Sequence, residues 1–381
     1  MSKSKAEVLV VHCVDTEGPI GGDVRRRPDG SKEFLDTWPV IKKSIDRLTS
    51  SKFRRESADS FGKPYMYNWF IMDFTGFKTN PKKRVAKYND TYDHFKKFAT
   101  KPDSFYWHYH HPPANGVGDQ WSAKWSSSDE YLEILLHRLV EREMWPEAYR
   151  AGGTIEDNAT SLWLEDTVMI DYSNRVALNS KRPKNIFDFN WHGAPNDWGF
   201  YHPDRMDLQK KGRMKRLIVR SVDLWSRINQ LTLEDAERAF VKAKEKNMPV
   251  LLSYFSHDHR DMNDETRYAI NLLKLLSTRH SVDWRTCNAL EAVQRTGGIT
   301  PTKVTVGVKR VKDKVRLKVN RPMYQSKPWV GAKLGGGSLV WLDVTKLGKR
   351  EFAFALPAGA TKVVVGGTSL SGDAFVRRIT L

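Results

Sequence analysis

The residues best suited to chemistry lie in Ser104–Pro113, SFYWHYHHPP. Phe105, Tyr106 and Trp107 form an aromatic run of the kind a pleated, half-buried strand accepts. His108, His110 and His111 follow, and Pro112-Pro113 ends regular structure. On an extended chain alternate side chains share a face, so His108 and His110 point together, while His108 and His111 are the other available pair. Neutral imidazole is the commonest metal ligand, and two imidazoles supply half of a tetrahedral site. The competing reading is one hydrogen-bonded core histidine beside loop histidines. A second cluster is VDTEGP, where Asp15 and Glu17 share parity and can face the same ion. One carboxylate with two histidines and an open position makes a hydrolytic metal site, usually zinc, and frees the other carboxylate to act as a general base. DTEGP also has the composition of a plain turn.

These residues need elements to bring them together, and the chain supplies an alternation. Val8–Val14 is an apolar run of the type buried on both faces. Thr37–Leu48 reads as a helix and Tyr65–Met72 as a second buried strand ending at Asp73. A polar helix over about Tyr88–Ala99 precedes the histidine strand. Ser127 and Glu130 form a capping box before a helix whose Leu132, Leu135, Leu136 and Leu139 share one face. Tyr149-Arg150 ends a short segment, Asn158 caps a helix through Leu164, and Val168–Ile170 is a strand running into Asp171. Phe187–Phe189 and Leu217–Val219 are short apolar runs. Thr232 with Asp235 caps a helix to Lys246, and Pro249–Phe255 is a strand ending in SHDHRD. Helices over Asp264–Ser277 and Cys287–Arg295 follow, stopped by Gly297-Gly298. Repeated strand, polar loop and helix imply an α/β domain with a parallel sheet over residues 1–298. The reactive groups all follow strands: Asp15 and Glu17, Asp73, the histidines, Arg150, and the run His257, Asp258, His259, Arg260. The C-terminal edge of a parallel sheet is where the loops meet and sites form.

From 299 to 381 the texture becomes short alternating strands separated by Gly and Pro turns, which implies a small β-sandwich. It holds no histidine and is expected to lie outside the catalytic centre, with Lys309, Arg316, Lys318 and Arg321 available to solvent or to an anionic partner. The chain of 381 residues carries 13 Trp, 13 Tyr and 17 Phe, enough aromatic mass for a substantial core. Net charge is +18 and the pI about 9.7. That excess suits an acidic glycan or peripheral contact with an anionic membrane surface. It sits in no recognisable nucleic-acid module, so no specific nucleic-acid partner is expected. Only Cys13 and Cys287 occur, far apart, which fits a reducing cytoplasm. No signal peptide or membrane-length apolar run is visible, and a cytoplasmic location is expected.

VDTEGP, WHYHHPP, YRAGG and SYFSHDHRD occur in the order of the NodB-homology polysaccharide deacetylases, and the chain from about Glu7 to Gly298 resembles that family. The resemblance implies a distorted (β/α) barrel with a metal, most simply Zn2+, held by one acid and two histidines. It implies Asp15 as general base, Glu17 as metal acid, and His108 with His110 or His111 as the histidine ligands. Arg150 becomes the residue that orients Asp15, and His257 the general acid. The family has adjacent aspartates where a Thr separates Asp15 from Glu17, so base and ligand stay exchangeable. Its histidines lie four apart, against two or three here, and Gly152-Gly153 replaces the usual Pro-Tyr after the Arg motif. The expected activity is metal-dependent removal of an N-acyl group, most simply acetyl, from an amino sugar in a glycan or its precursor. The alternative is a catalytically silent saccharide-binding protein on the same barrel. Trp69, Asp73, Trp198, Asp258 and Arg260 are the candidate substrate contacts. Trp198 sits in NWHGAPNDWGFYHP, a segment whose aromatic and amide groups suit sugar rings.

Overall fold

The apolar run near the N-terminus forms β1, Glu7–Thr16, and every residue of it is buried. Its alternation sorts two cores. Val8, Val10 and Val14 join a cluster with helical residues such as Ile41, Phe240 and Leu273. Leu9, Val11 and Cys13 join a second cluster with Phe70, Tyr106, Tyr172, Val219 and Leu251 from other strands. A strand whose two faces enter two apolar clusters cannot stand at a solvated surface; it is a stave of a barrel wrapped in helices. The computed structural model describes residues 6–19, 34–73, 90–98, 101–110, 130–178, 191–225 and 230–381.

After β1 come α1 (Trp38–Thr49), α2 (Ser51–Glu56), β2 (Asn68–Asp73), α3 (Asp90–Phe98), β3 (Ser104–Tyr109), α4 (Glu130–Val140) and β4 (Ala148–Ala151). The series continues with α5 (Asn158–Leu164), β5 (Ile170–Asn174), the short β6 (Phe200–Tyr201), β7 (Leu217–Asp223), α6 (Leu233–Lys246) and β8 (Pro249–His257). It ends with α7 (Met262–His280), β9 (Asp283–Thr286) and α8 (Ala289–Gly297). Strands β1, β2, β3, β4, β5, β7 and β8 pair in parallel around a closed circuit, a seven-stranded α/β barrel. β1 divides one edge between two partners: residues 7–10 pair with β9, and residues 13–16 pair with β2. No helix among the described residues is long and apolar enough to cross a membrane.

Local chemistry explains most element ends. Thr232 accepts from the amide of Asp235 at 3.2 Å, as its spacing implies. One expected cap shifts by one residue, and the helix expected from Cys287 begins only after Asn288. Asp157 rather than Asn158 receives the amide of Thr160 at 2.8 Å, and Asn288 starts α8 by accepting from Glu291 N at 2.7 Å. Both corrections have one cause, because the cap is the residue whose side chain reaches an orphan amide from outside the first turn. The strand expected over Val168–Ile170 begins only at Ile170 and runs to Asn174. α2, β9 and Trp329–Leu334 carry too little periodicity of their own and emerge only from pairing and packing. His111, Ser127, Phe187–Phe189 and the basic runs at 25–27 and 82–84 lie outside the described residues.

Beyond α8 two antiparallel four-stranded sheets form. One contains β10 (Val306–Val311), β11 (Lys314–Val319), β14 (Thr345–Lys346) and β15 (Glu351–Ala355). The other contains β12 (Trp329–Leu334), β13 (Leu339–Trp341), β16 (Ala360–Thr368) and β17 (Ala374–Ile379). Val315, Leu317 and Phe352 meet Val330, Val363 and Val365 between them, as in a sandwich. Lys309, Arg316, Lys318 and Arg321 are all exposed. The second sheet is also covered on its outer side. Val364 and Trp329 pack with Leu135, Leu139 and Trp145, and a Cβ on Gly331 would come within 2.6 Å of Leu136 and Val140. The bare glycine lets the sheet lie directly against α4.

Candidate metal centre

The inward alternation of β1 that buries Leu9, Val11 and Cys13 continues to Asp15, at the C-terminal end of the strand. Register places His257 of β8 beside it, and on the other side of the rim His108 of β3 is level with Arg150 of β4. Parallel strands deliver these groups to one rim. The same rim receives Glu17 from the turn after β1 and His110 from the residue after β3.

Three donor atoms converge there. His110 Nε2 lies 3.1 Å from both Glu17 Oε1 and His108 Nε2, and His108 Nε2 lies 3.7 Å from Glu17 Oε1. Ligands about 2.0–2.1 Å from a tetrahedral ion stand roughly 3.3 Å from one another, so the observed separations bracket the edges of such a site. His108 Nδ1 is 2.9 Å from the carbonyl of Arg150, which draws the ring hydrogen to Nδ1 and leaves the Nε2 lone pair directed at the cluster. Glu17, His108 and His110 are the group among the described residues with metal-ligand spacing. The His110 side chain keeps 15% exposure against 0% for His108, so access is from its side. The donor set fits a divalent ion of the zinc type.

Asp15 stands next to this group and is held differently. Arg150 Nε donates to its Oδ1 at 2.7 Å, and Arg150 Nη1 donates to the carbonyl of Tyr172 at 2.5 Å. The guanidinium lies over the Phe255 ring, 3.7 Å from its centroid, so both charge and stacking fix it. Two acids two residues apart in sequence therefore occupy distinct settings: Glu17 faces imidazoles and Asp15 faces an arginine.

His257 Nε2 is 3.9 Å from both Asp15 Oδ2 and Glu17 Oε1. Burial pushes its pKa well below the usual histidine value, and the nearby Arg260 and His259 push it further. Its Nδ1 accepts from Arg260 Nη2 at 2.8 Å. The ring is thus a neutral imidazole whose Nε2–H faces the acids. His259 places Nδ1 3.8 Å from Glu17 Oε2 and its ring edge-on to Phe34.

The residues proposed as substrate contacts are placed elsewhere or already occupied. Trp69 is fully buried and donates from its indole to Asp103 at 3.1 Å. Asp73 is buried between Arg138 at 3.0 Å and Arg142 at 2.6 Å. Trp198 donates to the carbonyl of Asp235 at 2.6 Å and stacks with Arg220. Arg260 is buried against Asp223 at 3.6 Å and Glu265 at 3.3 Å. Asp258 accepts from the amides of Glu17 at 2.7 Å and Gly18 at 3.0 Å, so it holds the turn that presents Glu17. Except at Arg260, which also meets the nearby His257 and Glu265, the partner that takes up the polar group is absent from the local sequence. Sequence reasoning also missed Phe255 and the carbonyl of Tyr172 as supports for Arg150. An aromatic residue in a strand signals core, and a carbonyl carries no sequence signal.

Gly152 explains part of YRAGG. A Cβ there would lie 2.5 Å from the His110 ring, so the second imidazole packs directly on bare backbone.

No family model and no curated protein matches the chain. Two solved structures are similar to it at low scores. A bacterial fucosidase with a monovalent iminocyclitol inhibitor has a TM-score of 0.34 and 10% identity, over 97% of this chain and 94% of that one. A Cellulomonas fimi endo-beta-1,4-mannanase double mutant has a TM-score of 0.26 and 11% identity, over 98% and 93%. Scores this low carry no argument about the site.

Proposed function

We propose that the chain is a metal-dependent amide hydrolase of the NodB-homology polysaccharide deacetylase type. It removes an N-acyl group, most simply acetyl, from an amino sugar in a glycan or glycan precursor. The observation that carries this reading is the convergence of Glu17, His108 and His110 beside an aspartate held by an arginine. Glu17 Oε1 and the two histidine Nε2 atoms would hold the ion, most simply Zn2+. When bound, the ion supplies a Lewis acid that polarises the amide carbonyl and acidifies water.

The chain's own residues do the rest. Asp15 receives the proton of the attacking water, and the Arg150 Nε–H on Oδ1 keeps the carboxylate aimed and leaves Oδ2 for that task. Having taken the proton, Asp15 is also the group with one to return to the departing amine. The resemblance assigns that delivery to His257. In the described geometry His257 is a neutral Nε2–H donor, and the acid role requires Arg260 to leave Nδ1. Asp258 and Gly152 set the positions of Glu17 and His110.

The test is an assay of the zinc-supplemented full-length protein for acetate or formate release across a panel of N-acylated amino sugars and their nucleotide- and lipid-linked forms. Release of acid and free amine in equal amounts is expected, with chelation abolishing it and zinc restoring it. A folded protein that retains no stoichiometric metal would sink the reading, since His110 Nε2–H can satisfy Glu17 and His108 by hydrogen bonds alone. A zinc-loaded protein that binds these sugars without turnover would instead be a silent saccharide-binding protein.

A further inference from the structure

Lys215 stands two residues before β7, so it lies at the N-terminal end of the barrel strands, opposite the rim that carries His108. There an open cleft of about 250 Å3 is lined by Lys215 of the barrel and by Met323, Tyr324, Lys346, Lys349 and Phe352 among others of the C-terminal region. We propose that this cavity is a second site, which binds a single sugar unit carrying an anionic group, most simply the carboxylate of a uronate. The anionic character comes from the lining; the sugar class rests on the saccharide reading of the barrel.

Three lysines contribute to one small space. Lys215 is anchored: its Nζ is 3.1 Å from Asp166 Oδ1 and 3.2 Å from the Tyr324 carbonyl, and lies over the Tyr324 ring. Lys346 and Lys349 are exposed. Two carboxylates meet Lys215, Glu165 at its backbone amide and Asp166 at its Nζ, while Lys346 and Lys349 have no ion-pair partner among the described residues. The lining therefore carries an uncompensated positive charge. Its floor is apolar, with Phe352 only 1% exposed and Met323 beside it. A cleft of about 250 Å3 has room for one sugar ring. An apolar floor meets the C–H face of a sugar, and lysines at the mouth meet the charge.

The test is calorimetric titration of the full-length protein at low salt with glucuronate, glucose 6-phosphate and glucose, repeated on the K346A/K349A double variant. Both substitutions are at exposed positions away from the histidine rim, and acetate release from a small neutral substrate is expected to be unchanged. Glucuronate is expected to bind and glucose to fail, with binding weakened about tenfold or more in the double variant and by added salt. Binding of glucose 6-phosphate without glucuronate assigns the anion to phosphate and keeps the site. Equal binding of glucose and glucuronate, no binding of either anionic sugar, or unchanged binding by the double variant overturns it. The His108→Ala protein is expected to bind glucuronate as the wild type does. Loss of turnover with intact glucuronate binding in that variant would separate the two sites, whereas a wild-type protein that binds glucuronate but deacetylates nothing would count against the proposed hydrolase and not against this cavity.

Discussion

His108 is the residue on which the proposed metal site depends most, because it is fully buried, has its tautomer set by the Arg150 carbonyl, and offers only Nε2 to the cluster. His108→Ala is expected to abolish stoichiometric zinc and turnover together while the far-ultraviolet circular dichroism stays that of the wild type. Zinc retained at one equivalent by the folded variant would contradict the ligand assignment. Asp15→Asn is expected to behave differently, because its partner is Arg150 and not the imidazoles. It should keep zinc and lose about 10²–10⁴-fold in kcat, the usual size of a general-base contribution. Metal analysis and single-turnover rates on the same preparation check both halves, and the reverse phenotypes for Asp15 and Glu17 would exchange their roles. A third residue acts on stability alone. His12 is buried between Tyr65 and Ser256, and burial lowers its pKa from 6.5 to about 3. The unfolded chain protonates this histidine below pH 6.5 while the fold keeps it neutral. Its contribution is therefore whole above pH 6.5 and shrinks as the pH falls, by on the order of 2 kcal/mol at pH 5. His12→Gln is expected to lower stability at pH 7 yet flatten the loss between pH 7 and pH 5 in urea titrations. An unchanged slope would show that other groups carry the acid sensitivity.

At the scale of elements, the site is a product of strand ends and the turns that follow them. β1 and β3 each end at the residue before a ligand, and the positions that follow are set from elsewhere: Asp258 holds Glu17, and Gly152 lets His110 seat. Gly152→Ala would put a methyl group 2.5 Å from the His110 ring. Because β4 is buried and paired, the loop carrying His110 is the part that yields. This substitution is expected to weaken zinc affinity about 10–100-fold, the range for disturbed support around metal ligands, with little change in melting temperature. Competition against a zinc-chelating dye reads it out. Affinity unchanged from wild type would mean that His110 is not a ligand in solution.

For the whole molecule, the sandwich contributes no residue to the described histidine cluster, which agrees with its lack of histidine. It is nevertheless bound to the barrel through a broad apolar contact, in which Trp329 meets Trp145 and Trp163 of the barrel and Trp341 of its own sheet. Removal of residues 299–381 uncovers Leu136, Leu139, Val140 and Trp145 together. Such a patch on a small domain drives association. The truncated chain is expected to aggregate, or to melt well below the full-length protein, in size-exclusion chromatography and thermal denaturation. A soluble monomer with the full-length melting temperature would show that the contact contributes little.

Legibility in the sequence followed the range of the forces involved. The barrel class was readable because a buried parallel strand must be apolar on both faces, and Val8–Val14 and Tyr65–Met72 are. The alternating strands after Gly298 were readable for the complementary reason, since Val315, Leu317 and Val319 bury one face only. The parity of Asp15 with Glu17 and of His108 with His110 placed each pair on a common face, because extended backbone has a two-residue repeat. What tertiary structure alone decided is which polar group meets which. Trp69, Asp73, Trp198 and Arg260 have the types of substrate contacts, yet Asp103, Arg138 with Arg142, the Asp235 carbonyl, and Asp223 with Glu265 take them up. All of these partners but Glu265 come from distant segments of the chain. The separation of Asp15 from Glu17 into different settings was likewise decided by Arg150, 135 residues away in the chain. Local sequence sets backbone geometry and burial preference, whereas a buried charge chooses its partner only after the barrel closes around it.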